Sequence, residues 1–433
     1  MALVMDLEAR LKQLEGENAR LRGAVEELSI LNQVAVAVAS TSTLDEIIDL
    51  VVQECVKHLH VEQGAVMLLD DGKDAAPLKT MIRKARSDYS GVDFRLNDQL
   101  TGWMMKNQAS LLVNDLASDA RFQSAAAGTV RSLICAPLKA KGRLIGVLSV
   151  FNKRKGESFS KEDERLLTII AAQSAQVVEH ARLYEEEQAL HRVEQELETA
   201  RTIQQRLLPT EAPSIPGYDI AGMSLAARQV GGDYFDFISM TDGMTGLCVA
   251  DVSGKGITAA LLMAVVQAKI RGQSLVDSSM AERLEVSNRL IHHSTPADKF
   301  VTMFYAALDA DNHRLRYSNA GHNPPFLIPK KGEARLLESG GPVLGVLPNF
   351  KFEESTVNLE VGDLLVIYTD GFSEAINPAL EEFGEDRLLE VARGVGDQSA
   401  QQILETLSEE VRIFCGAEPQ FDDMTIMALR RTS

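Results

Sequence analysis

Apolar and polar positions alternate along this chain with periods that change from block to block. In residues 1–28 the apolar positions follow a heptad. The a positions hold Val4, Leu11, Asn18 and Val25, and the d positions hold Leu7, Leu14, Leu21 and Leu28. Leucine at every d position and a single Asn at a favour a parallel two-stranded coiled coil with a fixed register. The alternative is one amphipathic helix that packs on its own domain.

Residues 29–184 predict a leading helix, an antiparallel sheet and a closing helix. The leading helix covers Leu44–His58 and is capped by Ser42 or Thr43. The closing helix begins at Lys161 and continues to about Tyr184, after a capping Ser160 with Asp163 at its third position. The predicted strands cover residues 64–70, 79–87, 111–114, 132–138 and 143–152. This order of elements is common among small-molecule sensor domains.

The segment LICAPLKAKGRLIGVLSV, at residues 133–150, resembles the core hairpin of a GAF domain. The resemblance extends over residues 29–184 and implies a GAF sensor fold, whose ligand or protein signal stays unknown. Just beyond the hairpin, the residues Asn152, Lys153, Phe159, Asp163 and Glu164 resemble a signature of cyclic-nucleotide-binding GAF domains. They are candidate ligand-binding residues. The alternative is a structural latch, in which the Lys–Asp pair ties the hairpin end to the closing helix.

A second heptad connects this region to the rest of the chain. Leu183, Leu190 and Leu197 recur every seven residues, while Glu186 and Gln204 interrupt the stripe. We predict a weaker coiled-coil linker helix over residues 185–210, whose polar interruptions suit a change of register. An inert spacer is the alternative. Both heptads predict a parallel homodimer.

A cluster of prolines at 209, 213 and 216 ends the linker and opens a domain over residues 211–433. Runs of strands and paired helices indicate an α+β layered domain in a multidomain α+β chain. The predicted strands cover 218–226, 233–239, 244–252, 363–369 and 425–429, and a long hairpin covers 300–327 with its turn at 309–312. The predicted helices cover 257–272, 280–293, 385–393 and 400–415.

The amino-acid composition limits which binding partners and which cellular compartment are expected for this protein. The chain has 433 residues, which suggests two or three domains. The formal net charge of −18 argues against a nucleic acid or an anionic membrane as partner. The four cysteines form no CxxC pair, the chain opens without a signal-peptide pattern, and its longest apolar run is too short to span a bilayer. We therefore expect a cytoplasmic protein with reduced thiols.

Four aspartates follow or precede apolar, strand-like segments of the last domain: Asp233, Asp251, Asp370 and Asp422. Carboxylates at close range repel one another and raise their own pKa unless cations are present. Oxygen ligands favour Mg²⁺ or Mn²⁺, and two such ions could activate a water molecule against a phosphoryl group. The spacing leaves open a metallophosphatase, a nuclease or a polymerase-like site, and the acidic composition disfavours the last two.

Six motifs narrow this choice. They are IQQRLLP at 203–209, VGGDYFD at 230–236, DVSGKG at 251–256, NAGHNPP at 319–325, YTDGFSEA at 368–375 and DDMT at 422–425. Together they are similar to the PPM-type serine phosphatases of bacterial stress and sporulation regulation, the RsbU/SpoIIE group. The resemblance extends over residues 201–433 and implies an αββα sandwich with two metal ions at one end of the sheets.

The resemblance also implies roles for individual residues. Asp251 would bridge both ions, the Val252 carbonyl would be a further ligand, and Asp370 and Asp422 would hold the second ion. Asp233 would act through a metal or its water.

Three further residues would support these ligands without binding metal: Asp236, Asp423 and Lys255. Lys255 occupies a position where broader PPM phosphatases carry a histidine, a candidate general acid, so the source of the leaving-group proton stays open. His322 could be that acid, but a structural role in its turn is favoured.

The implied substrate is a phosphoserine or phosphothreonine on a STAS-type anti-anti-sigma protein, in a partner-switching pathway gated by the GAF domain. Two alternative functions stay open at this point. One is a catalytically silent, GAF-driven dimeric scaffold. The other is a hydrolase of small phosphoesters.

Overall fold

The computed structural model describes residues 43–69, 78–83, 98–119, 121–122, 130–241, 243–296 and 298–433, together with helical positions scattered between residues 10 and 29. The predicted coiled coil over 1–28 lies largely outside the described residues. The chain divides into two compact units, Met1–Arg192 and Val193–Ser433. Among the described residues, none of the helices combines the length and hydropathy needed to cross a membrane.

The first unit is an antiparallel sheet with helices on both faces. Its helices are α1 (Leu44–His58), α2 (Asp98–Asn107) and the part of α3 (Lys161–Gln205) up to Arg192. Its strands are β1 (Val61–Leu69), β2 (Leu78–Arg83), β3 (Leu111–Val113), β4 (Leu133–Ala140) and β5 (Arg143–Lys153). The strand order is β2-β1-β5-β4-β3. Because side chains alternate along a strand, Leu148 and Val150 of β5 pack against α1 and α3, whereas Val147 and Phe151 pack against α2.

Capping side chains begin the two helices that cover one face of this sheet. Thr43 caps α1, and Glu46 completes a reciprocal capping box. Ser160 accepts a hydrogen bond from the backbone N–H of Asp163, and the Asp163 carboxylate accepts one from the Ser160 N–H, at the start of α3. Both predicted helix starts are confirmed.

The helix α3 is a single helix of 45 residues, although the sequence predicts a change near residue 184. Its buried positions end at Ala181, and Leu183, Leu190 and Val193 beyond it are exposed. The helix does not break because no glycine or proline occurs between Lys161 and Gln205.

The second unit contains two sheets. The first has the order β13-β10-β9-β8-β7, with β14 also paired to β10, and the second has the order β12-β11-β15-β16-β6. The strands are β6 (Tyr218–Leu225), β7 (Tyr234–Ser239), β8 (Thr245–Val252), β9 (Val301–Asp309), β10 (Arg314–Ala320), β11 (Phe326–Ile328), β12 (Arg335–Leu336), β13 (Gly340–Gly341), β14 (Ser355–Asn358), β15 (Leu364–Tyr368) and β16 (Met424–Arg431). The helices are α4 (Ile257–Ser274), α5 (Met280–Ser294), α6 (Asp370–Ser373), α7 (Glu385–Gly394) and α8 (Ala400–Cys415).

Three cores hold these layers together. Between the sheets, Val249 and Phe304 of one sheet pack with Ile367 and Met427 of the other. The outer face of the first sheet packs on α4 and α5, and that of the second sheet packs on α7 and α8. This is the αββα sandwich that the sequence predicts.

The predicted hairpin over 300–327 is too long. The strands β9 and β10 pair and turn after Asp309, but Phe326–Ile328 forms β11, which pairs with β15 in the other sheet. Pro324 and Pro325 lie between β10 and β11. Because proline has no N–H to donate to a ladder, the chain leaves the first sheet there and crosses to the second.

Candidate active site

The aspartates of the second unit converge because the strands that carry them pair antiparallel. Tyr234 at the start of β7 pairs with Ala250 near the end of β8. In the other sheet, Tyr368 at the end of β15 pairs with Ile426 near the start of β16. All of these strand ends lie at one edge of the sandwich. This acidic edge of the sandwich carries Asp233, Asp251, Asp370, Asp422 and Asp423.

The carboxylates at this edge raise one another's pKa. Burial raises the pKa of Asp251 to about 7, and the charges of Asp370, Asp422 and Asp423 add to the effect. Burial and the Asp251 charge raise the pKa of Asp233 well above its usual range. For Asp370, burial and then the Asp422 charge raise the pKa. Such a crowd of acidic oxygens is unfavourable until a cation neutralises it.

The backbone at this edge also offers a carbonyl oxygen. A Cβ on Gly232 would lie 2.8 Å from the Val252 carbonyl oxygen and 3.6 Å from Oδ1 of Asp251. Only glycine therefore lets the loop before Asp233 approach the end of β8. The result is a cradle of carboxylate and carbonyl oxygens, which is the donor chemistry that Mg²⁺ and Mn²⁺ prefer.

No three acidic, histidine or cysteine side chains in the described part of the chain lie close enough together to form a ready ligand set for one ion. The electrostatic coupling nevertheless makes Asp251, Asp370 and Asp422 neighbours. The two observations are compatible with Mg²⁺, because this ion keeps several waters and binds through only one or two carboxylates. The residues therefore fit a hydrated cation.

Asp423 holds the loop that carries Asp233. Its buried carboxylate accepts hydrogen bonds from the backbone N–H of Ala227 at 2.8 Å and of Gly232 at 2.5 Å. Thr369 donates to Oδ2 of Asp233 at 2.8 Å and so fixes that carboxylate. These contacts show that Asp423 holds the loop, and its support of metal ligands stays a prediction. The sequence motifs did not single out Thr369.

Lys255 contacts Asp422 directly. Its ammonium lies 3.0 Å from Oδ2 of Asp422, donates to the carbonyl of Phe421 at 2.7 Å, and lies 3.6 Å from the centre of the Phe421 ring. Lys255 therefore places a positive charge beside Asp422 at the acidic edge.

Asp236 does not support this cluster. Its fully buried carboxylate accepts two hydrogen bonds from Arg271, at 2.6 and 3.0 Å, and one from the Tyr234 hydroxyl at 2.6 Å. The supporting role that the sequence assigned beside the ligands is corrected: Asp236 anchors β7 to α4. It points to this helix because it shares the strand face of Tyr234 and Ile238, which pack in that core.

His322 is buried, and its Nδ1 lies 2.9 Å from the Thr302 hydroxyl. Burial lowers the pKa of His322 to about 4. The imidazole is therefore neutral near pH 7 and has no extra proton to give to a leaving group. This observation favours the structural role.

The end of α3 contacts the same loop. The side-chain amide of Gln204 donates to the Gly231 carbonyl at 2.7 Å and accepts from the Gly231 N–H at 3.0 Å. Gly231 lies two residues before Asp233, so the last turn of the long helix is attached to a candidate ligand loop. In the sequence, Gln204 is recognisable only as an interruption of the heptad.

Comparisons with known proteins indicate the family of this chain. The family model for stage II sporulation protein E (SpoIIE) matches residues 241–432, and a GAF domain model matches residues 41–179. Phosphoserine phosphatase RsbU of Bacillus subtilis (strain 168) is 33% identical over 257 residues, which cover 57% of this chain and 75% of RsbU. The chain belongs to the RsbU-type family of PPM protein phosphatases.

Two further matches cover smaller shares of their own chains. Protein IcfG of Synechocystis is 30% identical over 264 residues, 54% of this chain and 41% of IcfG. The solved structure of the RsbU and RsbW domains of Rv1364c from Mycobacterium tuberculosis is 29% identical, with a TM-score of 0.46, and covers 52% of this chain and 63% of that one. The chain thus spans less than half the length of IcfG.

In the GAF domain, the signature residues form a latch. Lys153 at the end of β5 pairs with the Asp163 carboxylate at the start of α3, and both side chains are largely buried. Asn152 accepts from the Arg131 N–H at 2.8 Å, and the buried Phe159 lies in the core under α1 and α3.

Glu164 continues the same contact region. It accepts a hydrogen bond from the Ser110 hydroxyl at 2.8 Å. A pair of hydrogen bonds that the sequence analysis missed joins the Asn114 amide to the backbone of Phe159, at 2.7 and 3.1 Å. The contacts support the latch interpretation, and a ligand-binding role for these residues stays a prediction.

Proposed function

We propose that the SpoIIE-type domain of this chain hydrolyses phosphoserine or phosphothreonine on a protein substrate with two Mn²⁺ or Mg²⁺ ions. The observation that carries the proposal is the convergence of acidic side chains at one edge of the sandwich, where burial and neighbouring carboxylates raise the pKa of Asp251 and Asp370. A divalent cation would relieve this repulsion. Asp251, Asp370, Asp422 and the Val252 carbonyl would hold the ions, and Asp233 would act through a metal or its water.

The chain's own residues prepare this site. When bound, the ions would polarise the phosphoryl group and lower the pKa of a nearby water molecule. Asp251, whose pKa burial raises to about 7, would release its proton as the ions bind. Thr369 and Asp423 hold Asp233 and its loop in position, and Lys255 adds a positive charge where the anionic phosphate would arrive.

We propose a phosphorylated STAS-type anti-anti-sigma protein as the substrate, in a partner-switching pathway of the cytoplasm. Family membership with RsbU supports this class of partner. The test is Mn²⁺-dependent phosphate release from candidate phospho-STAS proteins by the full chain. Asp251→Asn is the control, checked by circular dichroism for folding. A folded wild-type chain that releases no phosphate from these proteins or from para-nitrophenyl phosphate would favour the silent scaffold.

A hydrolase of small phosphoesters is distinguished by substrate preference. It would cleave para-nitrophenyl phosphate without preferring any phosphoprotein. A higher kcat/KM for one phospho-STAS protein than for the small ester supports the proposed protein substrate.

We also propose that a signal at the GAF domain acts through α3. The exposed apolar side chains Leu190 and Val193 would pair α3 with the same helix of a second copy, in a parallel homodimer. At its other end, Gln204 holds Gly231 of the Asp233 loop. A change of register would therefore reach a candidate metal ligand through one side chain.

Two variants test this route. Leu190→Lys with Leu197→Lys should convert the dimer to a monomer in light scattering. Gln204→Ala should keep the dimer and change phosphatase activity. A Gln204→Ala chain with wild-type activity and wild-type response to the sensor would refute the route.

A further inference from the structure

A cleft of about 460 Å³ opens beside the acidic edge, between the C-terminal half of α8 and the loop that leads to β16. Its wall includes Gly371 and Asp422, so it is continuous with the candidate metal centre. Much of the lining is apolar: Met223, Leu225, Ile376, Val411, Phe421 and Met424. Leu225 and Phe421 are exposed, at 43% and 71%. Apolar surface of this kind beside a reaction site is typical of a binding surface.

The rim of the cleft is acidic. Arg412 is the one basic residue among the described lining residues, and Glu409 accepts two hydrogen bonds from its guanidinium, at 2.6 and 2.7 Å. Glu374, Glu405 and Glu418 also line the cleft. An occupant that carries positive charge next to an apolar group would therefore complement the cleft.

We propose that this cleft receives the segment of the substrate protein next to its phosphoserine, with an apolar side chain on Met223 and Phe421 and a lysine or arginine beside Glu374 and Glu405. The inference rests on the proposed phosphatase function and adds a substrate preference to it. Continuity with Asp422 favours a substrate segment over a separate small molecule, because the phosphate and the flanking residues belong to one chain.

The first test uses synthetic phosphoserine peptides and the full chain with Mn²⁺. One peptide carries leucine and lysine beside the phosphoserine, and the other carries alanine and glutamate. Burial of the leucine and one exposed charge pair should give the first peptide about tenfold higher kcat/KM. Equal hydrolysis of the two peptides overturns the inference but leaves the phosphatase function intact. No phosphate release from the peptides or from para-nitrophenyl phosphate overturns both.

Variants on α8 localise the preference. Ser408 lies inside the cleft, with its hydroxyl 3.3 Å from the Met223 sulfur, so Ser408→Phe places a ring in the space. Glu405→Lys reverses one charge of the rim. Glu410 is exposed on the same helix outside the cleft, and Glu410→Phe and Glu410→Lys are matched controls. Loss of the peptide preference in the Ser408 and Glu405 variants alone supports the inference, and an unchanged preference in both overturns it.

A second measurement needs no turnover. Cys415 lines the cleft and is partly exposed, whereas Cys55, Cys135 and Cys248 are buried. With metal chelated, the leucine–lysine peptide should slow maleimide labelling of Cys415, and the alanine–glutamate peptide should have a smaller effect. If neither peptide slows the labelling of Cys415, the inference is overturned, and a small molecule becomes the favoured occupant of the cleft.

Discussion

Lys255 and Asp422 form an ion pair, with Nζ 3.0 Å from Oδ2, at the mouth of the acidic edge. The two residues come from opposite sheets of the sandwich, because Lys255 follows β8 and Asp422 precedes β16. If Asp422 holds an ion as proposed, Lys255 would compete with that ion for the same carboxylate.

Lys255→Met should strengthen Mn²⁺ binding and slow catalysis. Without the ammonium, Asp422 is free for the ion, and the affinity should rise about two- to fivefold for a half-exposed pair. The substrate phosphate would meanwhile no longer be attracted by the ammonium of Lys255. Isothermal titration calorimetry measures the first effect and kcat the second. Weaker Mn²⁺ binding by the variant would contradict the competition.

The ionisation of Asp251 should destabilise the metal-free second unit as the pH rises from about 4 to about 7. The pKa of the Asp251 carboxyl is about 3.9 in an unfolded chain. Burial and its acidic neighbours raise this pKa to about 7 in the folded protein. Between these values the folded state binds more protons than the unfolded state, so deprotonation favours unfolding. Urea unfolding in chelator should show this slope, and Asp251→Asn should reduce it. Equal slopes for the two proteins would contradict the raised pKa.

Binding of Mn²⁺ should release protons below neutral pH. The ion binds carboxylates, whereas Asp251 is mostly protonated at about pH 6, and burial also raises the pKa of Asp370. The apparent affinity should therefore increase as the pH rises through about 7. Calorimetry in two buffers with different ionisation enthalpies gives the number of protons released. Identical heats in both buffers at pH 6 would count against this expectation.

Asp423→Asn should destabilise the second unit more than Asp422→Asn. The Asp423 carboxylate accepts hydrogen bonds from Ala227 and Gly232, and an amide oxygen with one amino group cannot replace both. A buried N–H left without a partner costs about 1–3 kcal/mol. Thermal unfolding of both variants in chelator measures the difference. Equal melting temperatures would show that the carboxylate does not hold the loop.

Lys153→Met should destabilise the GAF domain near neutral pH but not in acid. Burial of Asp163 opposes ionisation, but hydrogen bonds from Lys153 and Ser160 outweigh it, so the pKa of Asp163 is lowered overall. The pair therefore adds stability above the unfolded pKa, and this contribution disappears as the pH falls through the folded pKa. Lys139→Met on β4 is an exposed control. A pH-independent loss in the Lys153 variant would indicate a packing effect instead.

The comparison of Asp233 and Asp236 shows how far sequence patterns reach. Both lie in the motif VGGDYFD, and the resemblance assigned both to the metal region. Asp233 precedes β7 and reaches the acidic edge, whereas Asp236 is three residues further along the strand and pairs with Arg271. The deciding partner is 35 residues away on α4, so no local pattern could reveal it.

The sequence by itself indicated most of the helices and strands and an acidic site, although it gave no sign of the helix Asp98–Asn107. Apolar periodicity and capping residues set the helices, the latch pair Lys153–Asp163 was visible in a short motif, and strand-end aspartates indicated an acidic site. These signals are local, because they depend on neighbouring residues along the chain. Only the tertiary structure shows that Phe326–Ile328 crosses to the second sheet. It also shows the hydrogen bonds that join Asp423 and Gln204 to the Asp233 loop, and the cleft beside Asp422. Each of these features depends on strand pairing and packing between segments that are far apart in the chain. Patterns among neighbouring residues do not predict such contacts.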